Sequence, residues 1–214
     1  MEASSRRLLW TANTLLLRVA RACLRALFRL LFRFRIEGAE HYPAGPAVIV
    51  ANHPSALDPL FIAVALPERV VFVAAAEYLG MPLVGWAMRA YGCIPVRRGE
   101  VDAAAVRAAL DALAGGLKVG LFPEGHVSPT PAPLRRGAGL IAARAGVSLL
   151  PVAVIGSGRV FPLGARLPRP HPVTVRVGPP VPAPPATRQG QEAAIMRAMV
   201  WIREHDAGAS ETPR

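Results

Sequence analysis

The chain reads as an α/β domain built on a mixed, largely parallel sheet flanked by helices, with an N-terminal amphipathic helix suited to a membrane surface. Three observations carry that prediction. Short runs rich in valine, isoleucine and leucine recur along the chain, as buried strands require. Segments with apolar residues at helical spacing alternate with them, the arrangement of layered α/β folds. Residues 6–35 hold eight arginines and no acid, with leucine and phenylalanine between them.

That first segment sets most of the charge, carrying +8 of the net +11. At about 100° per residue, Arg7, Thr11, Thr14, Arg18, Arg21, Arg25 and Arg29 fall on one face. Leu9, Leu16, Ala20, Cys23, Leu27, Leu30 and Phe34 fall on the other. A basic stripe opposite a broad apolar face describes a helix lying in the plane of a bilayer, its guanidinium groups among anionic headgroups. A cleaved signal peptide fits poorly, because the arginines run through the apolar stretch and no small-residue cleavage site follows. A nucleic-acid helix leaves the apolar face unexplained. A surface helix packed on the domain is the remaining alternative.

The strands are expected at Ala47–Ala51, Arg69–Ala75, Lys118–Phe122, Leu149–Ile155 and Val173–Val177. The helices are expected at Asp58–Leu66, Met81–Ala90, Asp102–Ala114 and Gly137–Ala145; Val106, Leu110 and Leu113 give the third its stripe. Pro179 to Pro185 reads as an extended linker. It leads to a last helix near Thr187–His205, with Ile195, Met199 and Ile202 available to dock on the domain. The expected organisation is therefore an anchoring helix at 1–35, an α/β domain at 36–180, a linker and docking helix at 181–206, and a disordered tail at 207–214.

The chain of 214 residues is long enough for one full hydrophobic core. Apolar residues make up 52%, yet no stretch of about 18 residues is both apolar and free of charge, so no transmembrane helix is expected. Cys23 and Cys93 offer neither a disulfide framework nor zinc spacing, which points to a reducing, cytosolic side and to no bound metal.

Three polar clusters follow strand ends, where ligand chemistry collects in an α/β sheet. In the first, Asn52-His53-Pro54-Ser55-Ala56-Leu57-Asp58-Pro59, a histidine precedes an aspartate by five residues. An imidazole oriented by a carboxylate is a general base near neutral pH. No serine or cysteine stands in a nucleophile pattern, so such a base would deprotonate a substrate hydroxyl. Equally, Asp58-Pro59 is a good helix start, and Ser55 with Asp58 fits a capping box. The second cluster, Tyr91 to Gly99, pairs Arg97 with Arg98, forked donors for a phosphate or a solvated loop pair. The third, Phe122-Pro123-Glu124-Gly125-His126-Val127-Ser128, places a carboxylate and a glycine after a buried strand, as a binding loop or a Pro-Glu-Gly turn.

Taken together and in this order, the clusters resemble the glycerolipid acyltransferases typified by 1-acylglycerol-3-phosphate acyltransferase. The resemblance rests on Asn52-His53 with Asp58, on Gly92 through Arg98-Gly99, and on Phe122-Pro123-Glu124-Gly125 with Ser128. Leu150-Pro151-Val152-Ala153 looks like the family's last block. The resemblance spans about residues 35–180. It implies acyl transfer from acyl-CoA or acyl carrier protein to a lysophospholipid hydroxyl, without a metal or other cofactor. His53 is then the general base and Asp58 its orienter. Arg97 and Arg98 hold phosphate, and Glu124, Gly125, Ser128 and Arg136 bind the acceptor. One departure stands out: most members place Thr-Arg before the serine, whereas this chain has His126-Val127. Either Arg135, Arg136 or Lys118, the only lysine in the chain, compensates, or the acceptor is another lysolipid. The implied partners are anionic membrane lipids, the acyl donor and the lysolipid, with no nucleic acid. The implied location is the cytoplasmic face of the cell membrane, as a peripheral protein.

Overall fold

The computed structural model describes residues 14–97, 102–128 and 132–207, so the expected tail lies, apart from Ala207, outside the described residues. Seven strands form one sheet: β1 (Arg35–Glu37), β2 (Val48–Ala51), β3 (Val70–Ala75), β4 (Ile94–Val96), β5 (Lys118–Leu121), β6 (Leu149–Ile155) and β7 (Thr174–Val177). Their spatial order is β1-β7-β6-β2-β5-β3-β4. Every neighbouring pair is parallel except β6 with β7. The mixed, largely parallel sheet read from the sequence is what the chain forms, with the three-residue strands β1 and β4 added at its two edges.

Helices cover both faces. On one lie α1 (Thr14–Phe32) and α2 (Asp58–Ala65); on the other lie α4 (Ala103–Ala114), α5 (Gly137–Ala145) and α7 (Arg188–Ala207). The central strand β2 shows why its sequence is apolar throughout. Ile49 and Ala51 face the first layer while Val48 and Val50 face the second, and all four are buried. A parallel strand covered on both sides has no solvent face to carry polar residues. Two further helices, α3 (Pro82–Tyr91) and the single turn α6 (Ser157–Val160), follow β3 and β6.

The terminal segments belong to this core. Phe28, Phe32 and Phe34 are buried around Phe61: Phe28 packs edge-on against Phe32 and Phe34, Phe32 meets Phe61 edge-on, and Phe34 stacks on Phe61. The end of α1 is closed by Arg33 at φ 45°, with the Phe34 N–H bonded back to the Phe28 carbonyl at 3.3 Å. A left-handed residue followed by an N–H that bonds back into the last turn terminates this helix, and the Phe28–Phe34 ring contact packs across the same turn. At the other end, α7 buries Ala194, Ile195, Ala198, Met199 and Ile202 against β6 and α5.

The arginine stripe of α1 faces a different partner from the one expected. Arg25 donates to the carbonyls of Val64 and Ala65 at 2.7 and 2.9 Å, and Arg21 donates to Leu66 at 2.9 Å. These are the last carbonyls of α2, which have no partners within their own helix and sit at the negative end of its dipole. Two of the arginines therefore clamp α1 to the domain. Val19, Ala20, Cys23, Leu27 and Leu30 face outward and are exposed. No described helix is long and apolar enough to cross a membrane.

Candidate active site

The parallel register of β2 with β5 and β6 brings three loops to the same end of the sheet. His53 follows β2, Phe122 to Ser128 follow β5, and Ser157 follows β6. His53 Nδ1 lies 2.9 Å from Asp58 Oδ2. Asp58 is fully buried and its Oδ2 also accepts the Ser55 N–H at 2.8 Å. With Nδ1–H donated to the carboxylate, the lone pair of the ring sits on Nε2. Nε2 makes no hydrogen bond to a described residue.

The helix-start reading of these residues is only partly right. The cap of α2 is Leu57, and Asp58 is already helical, followed by Pro59. The Asp58 carboxylate caps no N–H inside the helix; it turns back to Ser55 and His53. Ser55 is buried, receives the Leu57 N–H on Oγ at 3.3 Å and donates that hydroxyl to the Phe161 carbonyl at 3.2 Å.

Burial pushes the Asp58 carboxyl above its ordinary value; the bond and charge of His53, the Ser157 hydroxyl and the Ser55 N–H pull it back down. Asp58 Oδ1 and Ser157 Oγ are both buried without a hydrogen bond of good geometry.

Glu124, Gly125 and Ser128 come to the same place. The Ser128 N–H donates to the His53 carbonyl at 2.9 Å, and the Glu124 carboxylate accepts the His53 backbone N–H. Glu124 is buried at 6% exposure, and that burial raises its pKa. Gly125 has φ +75°, and the Arg135 side chain passes over it so closely that a Cβ would collide. The Arg135 N–H donates to the Pro123 carbonyl at 2.8 Å. Arg136 is exposed one residue further on, as the cap of α5. The exposed His126 ring bonds to the carbonyl of Glu124 at 3.0 Å, within its own turn.

One other expectation is corrected, and Arg97 stands apart from the corner. Lys118 lies at the opposite end of β5, fully buried, paired with Glu68 at 2.6 Å, the Gly45 carbonyl at 2.7 Å and the Tyr42 ring; it reaches no site ligand. Arg97 follows the edge strand β4, three strands or roughly 14 Å from β2. Its side chain is 84% exposed and bonds to Asp102, the cap of α4. Arg98 lies outside the described residues.

Four further residues build the site without having been given roles from sequence. The Phe122 ring stacks on His53 at 3.9 Å between centroids, fixing the plane of the imidazole. Asn52 bridges β2 to both backbone groups of Val154, accepting at 2.8 Å and donating at 3.1 Å, and donates to Asp206 of α7 at 3.3 Å. Ser157 completes the set beside Asp58. Asn and Phe next to the motif residues were a signal; nothing in the sequence brings Ser157 or Asp206 to them. Among the described residues no group of three or more His, Cys, Asp or Glu gathers to hold a metal ion.

A carboxylate-oriented imidazole over the carboxyl ends of parallel strands defines a site for general-base chemistry. Residues 33–155 match the Acyltransferase family model, more than half of the chain, and the chain belongs to that family. It is 32% identical over 142 residues to the chloroplastic 1-acyl-sn-glycerol-3-phosphate acyltransferase of Arabidopsis thaliana, covering 63% of this chain and 39% of that protein. It is 29% identical over 180 residues to the 1-acyl-sn-glycerol-3-phosphate acyltransferase of Pseudomonas aeruginosa, covering 80% and 68%. The chain thus spans less than half the length of the chloroplastic relative. The crystal structure of the 1-acyl-sn-glycerophosphate (LPA) acyltransferase of Thermotoga maritima shares the fold, with a TM-score of 0.76 over 92% of this chain and 81% of that one, at 23% identity.

Proposed function

We propose that this protein transfers a fatty acyl group from acyl-CoA or acyl carrier protein to the free hydroxyl of 1-acylglycerol-3-phosphate, forming phosphatidic acid. The observation that carries this reading is the buried His53–Asp58 bond with Nε2 left to a substrate. The acceptor hydroxyl donates to Nε2. As its oxygen attacks the thioester carbonyl carbon, the proton passes to the imidazole, and Asp58 stabilises the imidazolium. Collapse of the tetrahedral intermediate breaks the carbon–sulfur bond, and the departing sulfur takes the proton from His53. A positioned base in this role contributes typically ~10²–10⁴-fold. The thioester is already activated, so no acyl-enzyme is needed. Glu124 lies where it can orient the acceptor, and the guanidinium groups of Arg97, Arg98 and Arg136 are the candidates for its phosphate.

The exposed apolar side of α1 supports a peripheral position on the cytoplasmic face of the membrane, where lysolipid is within reach. Because Phe28, Phe32 and Phe34 are core residues, substitution tests this and deletion does not. Leu27→Glu with Leu30→Glu is expected to lower vesicle binding without unfolding the domain. Val127, where most members carry arginine, favours a second reading in which the acceptor is another lysolipid, such as a lyso-ornithine lipid or lysophospholipid.

The deciding experiment is thiol release from palmitoyl-CoA and from acyl carrier protein, with and without lysophosphatidate, in wild type and His53→Ala. Acceptor-dependent release lost in His53→Ala is the expected result. No release with lysophosphatidate, and release with another lysolipid, selects the second reading.

A further inference from the structure

We propose that the loop from Phe161 to Pro170 is a second contact with an anionic lipid surface, separate from α1 and next to the mouth of the His53 site. The proposal rests on the membrane-surface reading above and gives it a second point of attachment. Leu163 and Leu167 are 73% and 76% exposed; among the described large apolar residues only Leu30, at 80%, is more so. Scattered exposed leucines are ordinary on a protein surface. These two are not scattered. They share one ten-residue loop with Arg166 and Arg169, Arg159 stands just before it, and all three arginines are exposed.

Among the described residues Arg159, Arg166 and Arg169 make no ion pair with an acid. From Gly125 through Gln191 the sequence contains no Asp or Glu. A loop with leucines at its tip, arginines around them and no nearby acid is complementary to an anionic bilayer, which takes apolar groups below its phosphates and cations among them.

The base of the loop is held firmly. The Phe161 N–H bonds to the Ser157 carbonyl at 3.0 Å, and the Arg169 N–H closes the excursion on the Val160 carbonyl at 2.7 Å. Ser55, two residues past His53, donates to the Phe161 carbonyl, so the loop springs from the catalytic turn. Beyond the loop, the Val173 N–H bonds to the Phe32 carbonyl at the end of α1. The loop therefore connects the site with the end of the helix whose outer side carries Leu27, Leu30 and Leu31. Seated on lipid at both places, the enzyme would meet an acceptor at the bilayer surface without releasing it to water.

The test uses the full chain and vesicles of phosphatidylcholine with and without phosphatidylglycerol. Co-sedimentation is measured for wild type, Leu163→Asp/Leu167→Asp and Arg166→Glu/Arg169→Glu. Both double variants are expected to partition at least about tenfold more weakly to the anionic vesicles. The arginine pair should lose little on pure phosphatidylcholine. Unchanged thermal unfolding midpoints serve as the folding control, since all four side chains are exposed. Wild-type partitioning in both variants overturns the proposal and leaves α1 as the sole lipid contact. The readout needs no turnover, so it stands whether or not acyl transfer to lysophosphatidate is found.

Discussion

Two parts of the strand-carboxyl end of this sheet are built in opposite ways. The corner formed by the loops after β2, β5 and β6 is buried and fixed from several directions: Asp58 and Ser55 hold His53 from below, Phe122 stacks on it, and Glu124 and Ser128 bond its backbone. The β4 edge presents the Arg97 side chain in solvent, bonded, like its backbone N–H, to Asp102, the cap of α4. A base must be held at a defined angle before substrate arrives, because proton transfer tolerates little misplacement. A phosphate ligand can close on its anion after arrival. On the proposed reading, the two regions differ as a base to be oriented differs from a cation that attracts a charge.

The largest effect should come from the corner. His53→Ala is expected to lower kcat ~10²–10⁴-fold. Asp58→Asn should approach the same loss, because an amide can give its N–H to Nδ1 and so move the ring proton to Nε2, the wrong tautomer for a base. The loss should fall on kcat with little change in KM. A mild Asp58→Asn phenotype would mean that stacking on Phe122 alone orients the ring.

Asn52→Ala asks whether the corner is held by the wider fold. It leaves the Val154 N–H and carbonyl without their Asn52 partner inside the sheet. Buried backbone groups so exposed cost roughly 1–3 kcal/mol each, so urea unfolding should show a loss of about 2–4 kcal/mol. A loss much smaller than that would mean that water reaches this part of the sheet.

Arg97→Ala addresses the edge. The unfolding midpoint should stay at the wild-type value, because the ion pair it breaks is exposed. KM for a phosphate-bearing acceptor should rise several-fold, with kcat nearly unchanged. An unchanged KM would assign phosphate binding to other arginines and make the edge merely structural.

Much of this contrast was legible in the sequence, for physical reasons. Buried parallel strands such as Val48–Ala51 and Leu149–Ile155 write themselves as apolar runs. His53 with Asp58 is a local pair, five residues apart, so its geometry follows from one turn. What stayed hidden depends on contacts far along the chain. Ser157 and Asp206 reach the corner from about 100 and 150 residues away. Strands β1 and β4 have three residues each, too few to show a period, and exist because longer neighbours template them. The arginine stripe of α1 was visible, but its partner was not: the helix faces the carbonyls that end α2, and sequence periodicity says which residues share a face without saying what lies opposite.

Asp206→Asn gives the smallest and most specific test, because it changes one charge beside the corner and keeps an oxygen for Asn52. Burial holds the Asp206 carboxyl above its ordinary value; the Asn52 bond opposes this and the negative charge of Asp58 adds to it. A carboxyl that is harder to ionise folded than unfolded binds its proton more tightly in the folded state. Its effect on stability is therefore a loss as pH rises from about 4, the ordinary carboxylate range, through the raised folded value, and a constant deficit above it. The variant lacks that loss. Its stability relative to wild type should be lowest near pH 3, climb across this window and then level off. The same change removes a negative neighbour from Asp58, so the acid limb of the activity profile should move to lower pH. Unfolding midpoints measured from pH 3 to 8 check the first expectation, and kcat over the same range checks the second. A variant that instead loses stability relative to wild type as pH rises would mean that Asp206 is held ionised by a cation, and α7 would then help fix the corner through an ion pair instead of a neutral hydrogen bond.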